Sequence, residues 1–284
     1  MNAIRRGFLG YLGALLINKP ARAGELTPVS SSQDSVSPAT GSSVKPRHVL
    51  CFLGGERNLA RLSDAASHAI KDFATGFSID NAYSRNEPNE QMSRSFEVCW
   101  DRVQPDAWST ADEQAVANHQ SVLYVLGPPM TADNAVTVSA GALLLVSTLI
   151  ATGAIAVKGE SAGVAHGLDR WRELIVQGSV ALKSDDDFSL RRTCRLAFAK
   201  RPLASQHDLE SVGFHLVGQP EVYVPKSRGS EREIVAIMDA VADEIAQRGL
   251  QSALKHYDAS LSFASSYEDD DFKFNPYGIV TLPS

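Results

Sequence analysis

Short apolar runs alternate with amphipathic stretches along most of the chain. Residues 49–53 form an apolar run that a Gly-Gly pair ends, and this pattern predicts a buried strand. Residues 59–74 carry apolar side chains at helical spacing, which predicts a helix that stops at Gly76. A second apolar run, 121–126, is closed by a Gly-Pro-Pro sequence and predicts another strand.

The segments between these elements carry weaker signals. The residue types at 77–83 and 95–100 favour strands. Thr110 and Glu113 have the spacing of a capping box, which predicts a short helix to about His119. In chain order these elements are β-α-β-β-α-β, the order of a ferredoxin-like unit. We therefore expect an α+β fold, a mixed sheet with covering helices, and a ferredoxin-like βαββαβ start.

One long uncharged run raises the question of a membrane span. Residues 134–157 contain no charged side chain, and about 20 apolar helical residues are enough to cross a bilayer. However, several Ser and Thr residues interrupt the run, Gly153 suits a helix C-terminus, and β-branched residues follow it. No Lys/Arg cluster flanks the run to orient it in a membrane. We predict a core helix over 132–152 and a strand to Lys158, with a membrane span as the alternative.

The C-terminal part has the same mixture of elements. The patterns at 192–199 and 221–224 predict strands. Ser230 and Glu233 form a second capping box, which opens an amphipathic helix that ends at Gly249. Aromatic and β-branched residues near the end of the chain predict a last strand or a docked tail.

The N-terminal residues have the three parts of an export signal. Arg5 and Arg6 precede an uncharged run over 7–17, and an A-x-A sequence ends at Ala23. The sequence RRGFL at 5–9 resembles the twin-arginine (Tat) signal, although the position before the two arginines departs from the usual Ser or Thr. This resemblance implies export. An uncharged run of this length is too short to serve as a permanent membrane anchor.

We therefore divide the chain into three parts. Residues 1–23 are predicted to be a signal peptide, and 24–46, rich in Ser and Pro, a flexible linker. Residues 47–284 are predicted to form a single α+β domain. The expected location is the periplasm or outside the cell. A cytoplasmic location is the alternative if the N-terminal segment does not act as a signal.

The sharpest motif is Gly159-Glu160-Ser161-Ala162-Gly163, which follows a predicted strand and precedes a helix predicted over 168–177. It matches G-x-S-x-G, in which small residues let a serine occupy a sharp strand-to-helix turn. The motif resembles the nucleophile elbow of carboxylesterases, and this resemblance implies an esterase-type serine hydrolase that uses Ser161. The later part of the chain does not supply the acid and histidine that the triad order requires.

A broader resemblance covers the same motif. Residues 121–174, continued by 213–221, resemble a family of bacterial domains of unknown function. The resemblance implies no activity, but it implies that Glu160, Ser161, Gly163 and His166 belong together and that Gly159 is incidental. Glu160 and His166 would then share a polar pocket in which the histidine titrates near neutrality. The alternative is a glutamate that caps the following helix and a histidine at the surface.

Composition excludes several classes of function. With 284 residues and 44% apolar content, the chain has ordinary globular composition. Its net charge of −6, without a block of Lys and Arg, argues against a nucleic-acid partner, because phosphate binding needs a basic surface. Three cysteines without a C-x-x-C pair indicate neither a disulfide framework nor a zinc site. No glycine-rich nucleotide loop is present.

These features predict an exported bacterial domain that binds a small molecule or a protein without catalysis. The alternative is a serine hydrolase with Ser161 as nucleophile. Ser161, Glu160 and His166 are the candidate site residues. We expect no cofactor, no metal, no nucleic-acid partner and no stable membrane span.

Overall fold

The computed structural model describes residues 45–104, 107–263 and 275–284. Within these ranges the chain forms eight α-helices and ten strands, and the strands make two five-stranded sheets. This arrangement confirms the predicted α+β class. The predicted signal peptide, 1–23, lies outside the described residues, as does the predicted linker up to residue 44.

The first sheet, sheet A, is antiparallel throughout and has the strand order β2-β3-β1-β4-β5. Leu50 to Leu53 of the central strand are fully buried, which explains its unbroken apolar sequence. The strands are β1 (Val49–Gly54), β2 (Ser78–Ile79), β3 (Ser121–Leu126), β4 (Ala154–Gly159) and β5 (Val164–His166).

Helices cover both faces of sheet A. The larger hydrophobic cluster joins one face to α1, α4 and α5, and a smaller cluster joins the other face to α2 and α3. The helices are α1 (Ala60–Asp72), α2 (Met92–Cys99), α3 (Thr110–Ala117), α4 (Ala135–Thr152), α5 (Leu168–Lys183), α6 (Asp187–Phe198), α7 (Glu231–Arg248) and α8 (Leu250–Tyr257).

The second sheet, sheet B, has the order β6-β7-β8-β10-β9, and β10 is parallel to β8. Helix α7 packs Ile234, Met238 and Val241 against this sheet in a separate hydrophobic cluster. Ser230 and Glu233 cap α7 reciprocally, as the sequence predicted. The strands are β6 (Lys200–Ala204), β7 (Asp208–Val212), β8 (Glu221–Pro225), β9 (Ser260–Ser262) and β10 (Ile279–Thr281).

A hydrogen-bond relay joins the two halves of the fold. The Ser139 hydroxyl on α4 donates to the Leu216 carbonyl at 2.6 Å, and its oxygen lies 2.7 Å from Nε2 of His48. Because the hydroxyl proton is used on Leu216, the histidine must donate from Nε2. Leu216 belongs to a 3₁₀ turn that precedes β8, so the relay connects sheet A, α4 and sheet B.

Several predictions of local structure were wrong. Residues predicted as strands at 95–100 and 192–199 lie mostly in α2 and α6, and the strand predicted at 77–83 is reduced to β2. The cap of α3 is Ser109, paired with Asp112, one residue before the predicted box. Helical burial explains the first two errors, because the buried positions recur every three or four residues. These positions include Met92, Ser95, Phe96 and Cys99 in α2, and Leu190, Cys194, Ala197 and Phe198 in α6. The ferredoxin-like start is not confirmed, since two helices separate β2 from β3.

Helix α4 is the one helix in the described part of the chain that is long and apolar enough to cross a membrane. Half of its residues are buried inside the protein, against α1, α5 and α6. Gly153 ends the helix with φ near 122°, a conformation that favours glycine. This placement agrees with the predicted core helix, followed by strand β4.

Candidate functional site

The G-x-S-x-G motif lies in the turn of a hairpin at the edge of sheet A. Strand β4 ends at Gly159, and β5 returns antiparallel with Val157 opposite His166. Ser161 therefore lies between two strands, whereas a nucleophile elbow lies between a strand and a helix. Helix α5 begins only at Leu168, after β5 has been completed.

Both hydrogen bonds of the Ser161 hydroxyl go to the backbone that leads into β1. The oxygen accepts from the Val49 N–H at 2.8 Å, and the hydroxyl donates to the Arg47 carbonyl at 2.8 Å. A triad serine instead donates its proton to a histidine, which acts as its base. The geometry gives Ser161 the role of a clamp that holds the hairpin to the start of β1.

Glu160 takes part in a buried polar network on the α2 side of sheet A. Its Oε1 lies 2.9 Å from Nζ of the fully buried Lys158 and accepts a hydrogen bond from the Tyr124 hydroxyl at 3.1 Å. Nζ also donates to Ser95 on α2 and lies 5.2 Å from the centre of the Phe96 ring. We call Lys158, Glu160, Tyr124 and Ser95 the Lys158 network.

The electrostatics of the Lys158 network favour the ion pair between Lys158 and Glu160. Burial lowers the pKa of Lys158, but Glu160, Cys99 and Cys51 raise it, so that the net pKa lies above its ordinary value. Burial also raises the pKa of the Cys51 thiol to about 12 and raises that of Cys99. A charged lysine is not a general base, and protonated thiols are not nucleophiles. The Lys158 network therefore contributes side-chain packing and an ion pair to the fold. Its lysine amine and the neighbouring thiols are not in their reactive, deprotonated forms.

His166 faces the opposite side of the sheet from Lys158. Lys158 is paired with Ala165 and Val157 with His166, and neighbouring strand positions point to opposite faces. His166 donates from Nε2 to the Ala197 carbonyl at 3.0 Å, and its ring meets Trp171 edge-on. Among the described residues, the three candidate side chains therefore have separate partners, and no hydrogen bond or ion pair joins one to another.

Burial controls the charge of His166. Desolvation lowers its pKa to about 4, although the nearby Asp101 acts in the opposite direction, and Arg170 and Arg201 lower it further. Its Nδ1 lies 3.5 Å from Oδ2 of Asp101 without forming a hydrogen bond. At pH 7 the imidazole is neutral and presents Nδ1 as an acceptor.

His166 belongs to a charged region that the sequence analysis missed. We call this region the seam. It lies between His166 on β5 of sheet A and Arg201 on β6 of sheet B. Within it, Arg201 NH1 is 3.3 Å from Asp239 Oδ1. Its members come from six separate elements or loops, so no local sequence pattern links them. The seam comprises Asp101, His166, Arg170, Arg195, Arg201, Asp239 and Asp243.

A groove lies at the other edge of sheet A. Two adjoining hollows of about 450 Å³ and 390 Å³ open between α1 and β2. Ser63, Ile79 and Asn81 line both of them, and most of the other polar lining groups are uncharged hydroxyls and amides. We call this feature the α1–β2 groove.

The described residues show no group of three or more His, Cys, Asp and Glu side chains placed to hold a metal ion. Cys51, Cys99 and Cys194 are buried free thiols. Burial raises the pKa of Cys194 to about 12, as it does for Cys51. The three sulfur atoms are therefore hydrophobic core groups in this structure.

Comparison of the chain with models of known protein families, with curated proteins and with solved structures finds no match. The resemblances to carboxylesterases and to bacterial domains of unknown function stay predictions. The function has to be argued from the geometry of the site.

Proposed function

We propose that this chain is a non-catalytic binding protein that takes an extended peptide segment at the open edge of sheet A. One backbone position carries the proposal. Ser78 is paired with Leu126, and the Asp80 N–H donates to the Tyr124 carbonyl at 2.9 Å. Because hydrogen-bonding direction alternates along a strand, the N–H and C=O of Ile79 point away from β3.

The outward groups of Ile79 can pair with a further strand. Strand β2 is at the edge of its sheet, so another extended chain can add beside it and receive backbone hydrogen bonds. Backbone pairing supplies affinity in this mode of recognition, and the side chains around the new strand supply specificity.

The α1–β2 groove suits the side chains of such a peptide. Its two hollows are open surface depressions, a shape that leaves an extended segment partly exposed along its length. Within the described ranges, the Ser63 and Ser67 hydroxyls and the Asn81 amide make no hydrogen bonds, so they are available to a ligand. Ile70 and Phe77 add apolar contact. This lining fits a neutral polar peptide better than a charged or purely apolar ligand.

The substitution Ile79→Pro tests the proposal, because it removes the outward N–H while edge strands tolerate proline. Peptides selected from a phage library of randomised segments of about ten residues are expected to bind the wild-type protein. Their affinity should fall at least about tenfold for Ile79→Pro, since a main-chain hydrogen bond and the strand geometry are lost. Binding is measured by fluorescence polarisation.

Ile79→Val is the matched control, because it keeps the outward N–H and most of the side chain that lines the groove. It should bind the selected peptides within about threefold of the wild type. Peptides that bind Ile79→Pro as tightly as Ile79→Val, or a library without enrichment over serum albumin, would overturn strand addition at β2.

Export belongs to the same proposal and is supported by the RRGFL sequence and the A-x-A site before Gly24. The chain recovered from the periplasmic fraction of a bacterial host is expected to begin at Gly24 on N-terminal sequencing. The Arg5→Lys/Arg6→Lys variant should remain in the cytoplasm at full length. A wild-type chain that stays in the cytoplasm with its first residues intact would contradict export.

A further inference from the structure

In the described part of the chain, the buried side-chain polar atoms without a hydrogen-bond partner gather around the seam. Folded proteins satisfy the large majority of such atoms, so a concentration of exceptions needs a cause. We propose that the seam is a binding site for a small oxyanion, a carboxylate or a phosphate. The seam is separate from the α1–β2 groove, because β5 and β2 form opposite edges of sheet A.

Donors dominate the unpartnered atoms. Two acceptors are among them, Nδ1 of His166 and Oδ1 of Asp239. A ligand that satisfies this set must be rich in acceptors, which is the chemistry of an oxyanion. Four of the six donors are arginine nitrogens of the seam, namely Nε of Arg170, Nε of Arg195, and Nε and NH1 of Arg201. The other two, Nε1 of Trp100 and Nε1 of Trp108, belong to the hydrophobic cluster on the opposite face of sheet A. Arg195 Nε and Arg201 NH1 lie 3.6 Å and 3.3 Å from Asp239 Oδ1, so the Nε groups of Arg170 and Arg201 are the donors left for a ligand.

The two arginines best placed for a ligand are oriented by other groups. The side chain of Arg201 is only 8% exposed and lies beside Asp239, and Arg170 donates from NH1 to Glu173 at 2.9 Å. In both residues the Nε edge of the guanidinium is left without a partner. A planar fork held in place in this way matches the two oxygens of a carboxylate or phosphate.

The charge balance limits the ligand to a small anion. Arg195 and Arg201 lie beside the carboxylates of Asp101, Asp239 and Asp243, and Arg170 is paired with Glu173, so the free seam carries no net positive charge. A polyanion would meet these carboxylates at short range and be repelled. The side chains of Asp239 and Asp243 are 20% and 24% exposed, so the seam reaches the surface at this end.

Calorimetric titration of the whole chain tests the site, with inorganic phosphate in one arm and succinate in another. Sodium chloride at matched ionic strength corrects for screening. We expect saturable binding with one anion per chain, and the tighter arm identifies the preferred oxyanion. Arg170→Gln should weaken binding at least about tenfold, because it removes one of the two guanidinium groups that would bind the anion.

Arg172→Gln is the matched control, because Arg172 lies on the same helix but is exposed and paired with Asp169. It should change affinity less than about twofold. Arg201→Lys is a second variant that keeps the buried charge but loses the fork, and it should weaken binding as Arg170→Gln does. Circular dichroism verifies that each variant is folded.

Two results would overturn the proposal. One is the absence of saturable binding of either anion to the wild-type protein, which would assign the unpartnered donors to ordered water. The other is an equal loss of affinity in Arg170→Gln and Arg172→Gln, which would indicate general attraction to surface charge. A saturable change in tryptophan fluorescence with the same midpoint would support the site, since Trp171 meets His166 edge-on.

Discussion

Acidification from pH 7 to pH 5 is expected to lower the free energy of unfolding by about 4 kcal/mol through two buried histidines. Burial, helped by the nearby His215, lowers the pKa of His48 to about 3. Burial lowers that of His166 to about 4. Both start from an unfolded value of 6.5. Each is expected to account for about 2 kcal/mol of the loss.

The sign follows from proton binding. Between the folded and unfolded pKa values, the unfolded chain carries a proton on each histidine that the folded chain does not carry. Falling pH therefore favours the unfolded state, starting near pH 6.5 and continuing toward pH 4. Protonation would also place a charge in the relay of His48 and Ser139, where the second ring nitrogen lies in a fully buried environment. Urea denaturation at pH 5, 6 and 7 measures the loss.

His48→Gln and His166→Gln identify the source of the pH dependence. A glutamine amide can donate from a position close to Nε2, so each variant keeps its hydrogen bond to Ser139 or Ala197 without titrating. Each substitution should remove about 1.4 kcal/mol per pH unit from the slope below pH 6.5. His68→Gln, at an exposed position, should leave the slope unchanged. An unchanged slope in both buried variants would show that other groups cause the acid sensitivity.

Glu160→Gln is expected to destabilise the protein by about 3–5 kcal/mol, because it leaves the ammonium of Lys158 buried without its counter-charge. The side chain of Lys158 is 0% exposed, and that of Glu160 is 7% exposed, so water cannot replace the lost carboxylate. The Tyr124 hydroxyl would also lose the ionised acceptor of its hydrogen bond. Chemical denaturation at pH 7 measures the change.

A double-mutant cycle distinguishes the cost of an unpaired buried charge from the cost of altered packing at Lys158 and Glu160. Lys158→Met combined with Glu160→Gln removes both charges and fills the space with an apolar side chain, so it should be more stable than Glu160→Gln alone. Asp169→Asn breaks an exposed ion pair with Arg172 and should cost less than about 1 kcal/mol. If Glu160→Gln costs no more than Asp169→Asn, the Lys158 network does not hold a buried ion pair.

The elements with the strongest local signals could be predicted from the sequence. Strands β1 and β3 are continuous apolar runs, and the capping box of Ser230 and Glu233 marks the start of α7. Gly153 marks the end of α4 through its backbone conformation. In α2 and α6, aromatic and small residues resemble a strand when the residue types alone are considered. The buried positions of both helices recur at helical spacing in the sequence, but the residue types there favour a strand, and the prediction followed the residue types.

The candidate site was less predictable, because it depends on contacts between distant segments. The Ser161 motif is local, but its hydroxyl partners are on residues 47 and 49, more than 110 positions earlier. In the sequence, nothing distinguishes Lys158 from a solvent-exposed lysine at the end of a strand. The fold nevertheless buries it against Ser95. Arg201 likewise has no local mark of burial, and its neighbour Asp239 comes from α7. Topology creates these pairs, and periodicity contains no information about them.

The Ser161 clamp also protects the chain at Arg47 from proteases. Arg47 is a trypsin recognition residue by sequence, but its carbonyl is held by Ser161 and its guanidinium donates to the Gly127 carbonyl at 2.8 Å. A protease must draw several residues on each side of the cut into an extended conformation. The bond after Arg47 therefore becomes available only when the segment that leads into β1 releases both Ser161 and Gly127, and its cleavage rate reports this local opening.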